Sequence, residues 1–555
     1  MATPLTTNSR PLRQIQTAAS DLVASGQADE AIELVIAALE AVLRHNTELE
    51  LLIRKLKAQV AGRSASEKID PAQLSLLLSL LEPDDANEPD VEKEELADAA
   101  VDKEIEEAEA RRVAEVGPKP VRRRCKALKT EGLEVRHTHL PIPPEMKDWE
   151  VIGDKTVERL RYSPSHFYME LIHQPVLKDP ELSEAGMETL TTVPAPPSLV
   201  PHGMPGADVL AMLVVCKYVD HLPLHRLHRR FLREQGVDLP VSTLADWVMW
   251  VGKALQRLVP LLLLRVLDSF MVQTDGTGMR VIDSATVGLH RGTFYAYVGH
   301  AGGRGSPHDV VFIYTPTGKA DAGPWKVLKD RKGYLLADAS NSFDRLYNGK
   351  VATAIEVGCH FHARRDFKAC DADPRAAYPL LLIRRLYRLE SLADAKGMDA
   401  AQRLALRQER SAPVMKKLHR TVLTLVRDGI PSDPLTKAAQ YYINHWVALS
   451  RFLEDGRIEL DNNRVEREFR VVRLGEHNYL FAGSDEAAER MGAILSVLGS
   501  AKSHGLDPYT YLCDILQALA YPMTAAAVAE LLPHRYKARL EAAASDATPA
   551  PVNPL

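Results

Sequence analysis

Three carboxylates stand where a hydrolytic metal site could be assembled. Asp275 closes the strand-like stretch FMVQTD and is followed at once by Gly276. Asp338 closes the strand-like stretch GYLLAD, and Glu466 lies in a helical stretch that begins near Asp461 and Asn462. Hard divalent cations take oxygen ligands. Two such ions, Mg²⁺ or Mn²⁺, about 3.5–4 Å apart can activate the attacking oxygen at a phosphodiester and stabilise the leaving one. Spacing alone does not select these three, since 74 acidic residues offer many accidental triplets; the order of the surrounding elements does. A second dense stretch, GCHFHARRDF, offers Cys359, His360, His362, Arg364 and Arg365. Cysteine and histidine there would need two further partners to hold zinc. The alternative is a buried cysteine at a strand end with polar residues opening a helix. Arg364 and Arg365 are candidates for DNA contact. No nucleotide cradle, G-x-S-x-G elbow or H-E-x-x-H pair occurs.

The elements that must position these groups begin at Phe270. FMVQTD, FYAYVGH and DVVFIY are followed by a short helix at WKVLKD, the strand GYLLAD, a helix near SFDRLY and the strand TAIEVGCHF. Three strands, helix, strand, helix, strand is the order of a ribonuclease H-like α/β core, with hairpins joining the first strands and helical crossovers the parallel remainder. In such a sheet strands one and four are neighbours. Asp275 and Asp338 are therefore expected side by side, with Glu466 closing over them from the later helix. Residues from Pro379 to Asp455 are helical in pattern. Upstream, PLHRLHRRFLREQGVDLPVSTLADWVMWV has helix-turn-helix form: a helix bearing Arg226, Arg229, Arg230 and Arg233, a turn at Gly236, and a helix capped by Ser242 or Thr243. It reads either as a DNA-binding unit or as a helical hairpin with Trp247 and Trp250 in its core. Glu131 to Val176 reads as short strands, LEVRHTHL and HFYMELIHQPVL, and TTVPAPPSLVPHGMPG as a linker.

At 46% hydrophobic and 26% charged residues, the 555-residue chain excludes collagen-like, mucin-like and wholly disordered classes and is long enough for several domains. Its longest uncharged apolar run, Leu258 to Leu264, is far short of the ~18 residues a membrane span needs. MATPLTTNSRPLRQ has no signal-peptide core, and the five cysteines are scattered. No membrane partner and a cytoplasmic, nucleoid-associated location are expected. The net charge of −5 hides an asymmetry: Glu82 to Ala110 holds 14 acidic residues against Lys93 and Lys103, which leaves the rest of the chain at +7. A basic cluster from Arg111 to Lys129 follows, either a solvated face balancing the acidic run or a phosphate-contacting patch. From Ile32 to Val60 a heptad places Ile32, Leu39, Asn46, Ile53 and Val60 at a, and Val35, Val42, Leu49 and Leu56 at d. A lone Asn46 at a fits register control in a parallel dimer, although one amphipathic helix packed within its own chain would read alike.

Taken together, KYVDHLPLHRLHRRFLREQGVDLPVSTLADWV, GCHFHARRDF, LDNNRVEREFRVVRLGEHNYLFAGS and SHGLDPYTYLCDIL with LLPHRYK resemble, in order, blocks of the large transposase of bacterial insertion sequences of the sixty-six family, TnpC type. The resemblance implies a DDE triad at Asp275 in QTDGTG, Asp338 in LLADAS and Glu466 in NNRVERE, each a ligand to two Mg²⁺ or Mn²⁺ ions. Cys359 and His362 match a structural C-x-x-H signature found before the Glu. Arg467, Arg470 and Arg473 are further DNA-contact candidates. The implied activity is cleavage and joining of double-stranded DNA at the element's ends and target, by a homodimer or higher oligomer, with small accessory proteins of the same element as further partners. A repurposed, catalytically silent DNA-binding protein and a nuclease without strand transfer are the alternatives.

The organisation expected is a multidomain α/β chain. A helical, coiled-coil dimerisation region covers 1–81, an acidic linker 82–117, a small β-rich module 118–190 and a helix-turn-helix-like region 199–267. The ribonuclease H-like core follows at 268–378, interrupted by a helical insertion at 379–455 and resumed at 456–500 with the catalytic Glu. A helical region at 501–543 and a disordered tail at 544–555 close the chain. Two departures from the family stand out. The family's Cys-rich zinc-binding module keeps only Cys125 here, so no zinc is expected. Where the family tends to have Arg-Lys-Asn, this chain has Glu476, His477 and Asn478, which should weaken phosphate contact.

Overall fold

The structure is a computed structural model that describes residues 91–115, 166–172, 176–178, 190–192, 196–201, 203–283, 288–302, 305–316, 323–338, 343–347 and 353–546. The expected zipper with Asn46, Cys125 and most of the 118–190 module lie outside the described residues. Within the acidic stretch, Val91–Glu115 forms one helix, α1. Strands β1 (Val176–Lys178) and β2 (Leu190–Thr192) pair antiparallel. The neighbouring 166–172, expected as strand, joins no ladder. Phe167 is used elsewhere: its ring meets Phe231 edge-on at 5.1 Å and its N–H donates to Gln235 Oε1 at 2.7 Å.

Helices α2 (Ala207–Tyr218), α3 (Leu224–Gln235), α4 (Val241–Leu255) and α5 (Val259–Asp268) precede the sheet. Helix α3 buries Leu227 and Phe231, one turn apart, and turns its arginines the other way. Gly236 ends it in the left-handed region at φ 70°, where a side chain would be strained. The expected cap is corrected. Pro240 holds the N-cap position of α4 with no side-chain hydrogen bond, and Ser242 and Thr243 lie inside the helix. The fixed φ of Pro240 starts the turn without a hydroxyl. Among the described residues no single helix is long and apolar enough to cross a membrane.

Five strands form a mixed sheet in the order β5-β4-β3-β6-β7: β3 (Met271–Asp283), β4 (Gly288–His300), β5 (His308–Thr315), β6 (Lys332–Leu336) and β7 (Thr353–Val357). The first three pair antiparallel, whereas β3–β6 and β6–β7 are parallel. Helix α6 (Pro324–Leu328) and a short 3₁₀ turn at Asp344–Leu346 lie in the crossovers. Asp275 does not end its strand as expected, because β3 runs on to Asp283 opposite β4. Gly276 and Gly278 look like a turn, but their role is room. A Cβ at Gly276 would meet the Tyr295 ring at 3.0 Å, and the Arg291 side chain covers Gly278.

Past β7 the chain is helical: α7 (His360–Lys368), α8 (Ala377–Ala395), α9 (Ala400–Leu406), α10 (Ala412–Asp428), α11 (Pro434–Asn444), α12 (Trp446–Ser450) and α13 (Asn463–Tyr479). Helices α14 (Asp485–Ser503), α15 (Pro508–Leu519), α16 (Ala525–Ala529) and α17 (Pro533–Asp546) close it, so helix continues past Ala543, where the tail was expected to begin. Successive residues of β3 serve two cores. Val272 joins a cluster with α13 and α14, while Met271 joins one with α7, α8, α10 and α11. Period-two alternation sends neighbours to opposite faces, so β3 is the seam between the two cores.

The outer edge of β5 is closed by a helix rather than another strand. Ser496, Ser500 and Ser503 of α14 accept from the N–H groups of Phe312, Val310 and His308 at 2.8, 3.0 and 2.8 Å. A helix face repeating at four and three residues here meets a strand edge repeating at two. Ser500→Ala should leave a buried N–H unpaired and cost about 1–3 kcal/mol, readable by urea denaturation. An unchanged midpoint would mean that the serine hydroxyl adds nothing at this edge.

Candidate active site

The parallel pairing of β3 and β6 ends at Gln273↔Leu336. Asp275 and Asp338 each stand two residues beyond that pair, so the register aims both carboxylates at the same end of the sheet. The Gly276 N–H donates to Asp275 Oδ1 at 2.7 Å. Glu466, in the first turn of α13, reaches the same place: ligand atoms of Asp275, His362 and Glu466 lie within 4.8 Å of one another. His362 Nε2 is 3.8 Å from Glu466 Oε1. Asp338 stands outside that tight group but acts electrostatically on both Asp275 and His362.

Burial pushes the Asp275 carboxyl up to about 7; the Gly276 N–H opposes this, and the charges of Asp338 and Glu466 add to it. Burial also lowers His362, helped by Arg365 and opposed by the carboxylates. The imidazole therefore tends to be neutral, with a ring nitrogen able to face a cation. Crowded carboxylates with a neutral imidazole form an oxygen-rich, self-repelling set. That donor chemistry suits a divalent cation, whose charge would remove the repulsion.

Two clasps hold the helix that carries Glu466. At its N-cap, Asn462 accepts from the Cys359 thiol at 3.1 Å and donates its own N–H back to Cys359 Sγ at 3.4 Å. Burial pushes that thiol up to about 12, so it stays protonated and able to donate. The second clasp is ionic: Arg464 pairs with Glu459 at 2.5 Å and donates to the Ser306 carbonyl at 2.9 Å. Gln273 of β3 donates to the other oxygen of Glu459, also at 2.5 Å. Burial alone would raise Glu459, but the charge and hydrogen bond of Arg464, with His300 and the Gln273 hydrogen bond, together outweigh it and hold the carboxyl below its ordinary value.

The dense Cys/His stretch thus divides by role. His360 faces away from the carboxylates. Its Nδ1 accepts from the Tyr442 hydroxyl at 2.5 Å and its Nε2 donates to the Leu449 carbonyl at 2.8 Å, so it ties α7 to the helices after it. Sequence reasoning missed the ionic clasp altogether. It also weighed Cys359 and His362 against zinc rather than against the carboxylates. One signal was available, since Gln273 and Asp275 are two apart on a strand and share a face.

Comparison with known proteins adds the family. The profile described as "Transposase IS66 family" matches residues 202–490, and "IS66 C-terminal element" matches residues 496–534. The chain belongs to the IS66 transposase family. Similar proteins of Sinorhizobium fredii (strain NBRC 101917 / NGR234) carry the names uncharacterized protein y4qI, y4hP and y4jD. The first is 26% identical over 532 residues, which cover 91% of this chain and 97% of the relative. The other two are each 30% identical over 70% of this chain, covering 71% and 76% of their own lengths.

In this IS66 transposase the arginines singled out for DNA contact are mostly exposed: Arg226, Arg229 and Arg233 on α3, Arg364 and Arg365 on α7, and Arg467, Arg470 and Arg473 on α13. Arg230 is half-buried and bonds Glu234 at 3.0 Å. Arg470 and Arg473 follow Glu466 at four and seven residues, so they continue along its face of α13. Glu476, expected from the sequence to weaken phosphate contact, pairs with Arg280 at 3.3 Å and Arg473 at 3.4 Å. Glu476→Gln should release both guanidiniums. Duplex binding should tighten about two- to fivefold and its salt slope steepen by about 1–2. Fluorescence anisotropy across a salt series measures both, and an unchanged slope would mean that neither arginine meets phosphate.

Proposed function

We infer that this protein is a DDE transposase that cleaves and joins DNA at the ends of its insertion sequence, on a ribonuclease H-like core. The observation that carries this reading is the approach of Asp275 and Glu466, from segments far apart in the chain, beside Asp338 just past the end of the adjoining strand β6. The sheet order, three antiparallel strands extended by two parallel ones, supports the core assignment. Asp275, Asp338 and Glu466 would hold divalent cations, Mg²⁺ or Mn²⁺, with His362 at their side. Bound cations supply charge neutralisation and activation of the attacking oxygen at the phosphodiester.

The reaction balances without a covalent enzyme intermediate. Water attacks the phosphorus at the element end, the bond to the 3′-oxygen breaks, and a proton passes to that oxygen. The freed 3′-hydroxyl then attacks a target phosphodiester, whose own 3′-oxygen leaves and takes a proton. The chain's residues orient the reacting phosphates and neutralise their charge. Two ends must be held together, which a dimer would accomplish; the heptad centred on Asn46 is the proposed contact.

Incubating a labelled duplex carrying the element's ends with Mg²⁺, wild type beside Asp275→Ala, tests the reading. Joined product from wild type alone is the expected result. Cut but unjoined product would indicate a nuclease. Tight binding with no cleavage, even with the accessory proteins present, would favour the repurposed DNA-binding protein.

A further inference from the structure

Helix α1 is an odd partner for the face it covers. It carries ten carboxylates and four basic residues. Its apolar contribution to the contact is small: Val101 is buried against Leu389 and Leu392 of α8, with Ile105 beside it. The remainder is ionic. Asp98, only 1% exposed, faces three guanidiniums: Arg384 at 3.1 Å, Arg388 at 2.7 Å, and Arg385. Asp102 pairs with Arg388 at 2.9 Å, and Glu104 with Arg410 at 3.0 Å and Lys396 at 3.4 Å.

We propose that this basic face, made by Arg384, Arg385 and Arg388 of α8, Lys396 just past its end and Arg410 just before α10, is a binding surface for the phosphate backbone of DNA, and that α1 is its intramolecular occupant. The inference rests on the DNA reading above. Three carboxylates meet five cations here, and a purely structural docking has no need of that excess. Guanidinium forks accept carboxylate and phosphate with the same bidentate geometry. Asp98 and Asp102, four residues apart, set charges about 6 Å apart along the helix, a row of anions of the kind that a nucleic-acid strand presents. With so little apolar area in the contact, its strength is largely electrostatic, and a denser polyanion can replace α1. The acidic helix thus limits the face to DNA that competes successfully for it, which disfavours non-specific duplex.

The test uses the full-length protein and a mixed-sequence duplex of about 40 base pairs, with anisotropy read from roughly 0.05 to 0.3 M salt. Asp98→Asn/Asp102→Asn/Glu104→Gln should bind about tenfold more tightly than wild type near 0.1 M salt, with a salt slope steeper by about 2–4. Adding Arg384→Gln and Arg388→Gln to that variant should return affinity to the wild-type level or below. Hydrogen exchange on wild type provides a second readout that needs no variant: duplex should speed exchange over residues 91–115. Wild-type binding with an unchanged triple variant would overturn this inference alone. So would tighter binding that ignores the two arginine changes, or exchange over α1 that stays constant or slows with DNA. Failure of wild type and variant alike to bind any duplex would overturn the DNA reading as well.

Discussion

Asp275→Asn and Glu466→Gln are each expected to lower strand cleavage by at least about 10³-fold while duplex binding stays within about threefold of wild type. Both substitutions keep shape and remove one negative charge, so the loss isolates the contribution of that charge. Binding should not weaken, because each carboxylate repels phosphate until a cation screens it. Divalent ion should also stabilise the wild-type protein, by about 1–3 kcal/mol at saturation, and stabilise Asp275→Asn much less. Thermal unfolding with and without Mn²⁺ reads this directly. The pH dependence has a definite sign. With the Asp275 carboxyl raised from 3.8 to about 7, the folded, cation-free protein binds this proton more tightly than the unfolded chain. Its contribution to stability therefore falls as pH rises from near 4 toward 7, and cation binding removes that cost. The Mn²⁺-induced shift in Tm should be small near pH 6 and reach its plateau above about pH 8. A shift that is equal in Asp275→Asn and wild type would place the cation elsewhere.

What the sequence made legible follows from where local pattern and tertiary placement agree. Asp275 and Asp338 follow short apolar runs, and a run's alternation marks a strand whatever lies beyond it; the pairing of β3 with β6 needed only the order of elements. The length of β3 was not legible. Gly-Thr-Gly has the composition of a turn, and only the Tyr295 and Arg291 side chains of β4 explain the glycines as clearance. The capping hydroxyls at Ser242 and Thr243 were a reasonable local choice, but Pro240 sets the dihedral first. Charged residues were the hardest to read. Glu459 and Arg464 look like two more surface charges in a chain with 143 of them, and only burial distinguishes them. The acidic run hid its role for the same reason: one-dimensional charge density does not say whether α1 faces water or the arginines of α8.

Arg464→Gln carries the second large effect. Glu459 is largely shielded from solvent between β3 and α13, where Arg464 supplies its counter-charge and Gln273 a hydrogen bond. Without the guanidinium the carboxylate stays desolvated with one neutral donor, a loss of about 3–5 kcal/mol of folding stability at neutral pH. The pH profile separates this mechanism from simple loss of packing. In wild type Glu459 sits below its ordinary value, so its favourable contribution is present at neutral pH and is lost as pH falls through the folded value. In Arg464→Gln burial, the largest influence, meets only the Gln273 hydrogen bond and His300, so the carboxyl is expected to rise and protonation to relieve the penalty. The stability gap from wild type should narrow as pH falls from about 7 to 5. Urea denaturation at several pH values tests it; a gap independent of pH would mean that packing, not charge, is what Arg464 supplies. Glu459→Gln/Arg464→Met should recover part of the stability by removing both charges. It should not recover cleavage, because the ionic link from β3 to the helix bearing Glu466 would still be missing. Stability and activity would then come apart in one protein, with the fold tolerating a neutral clasp and the chemistry requiring that Glu466 be held against Asp275.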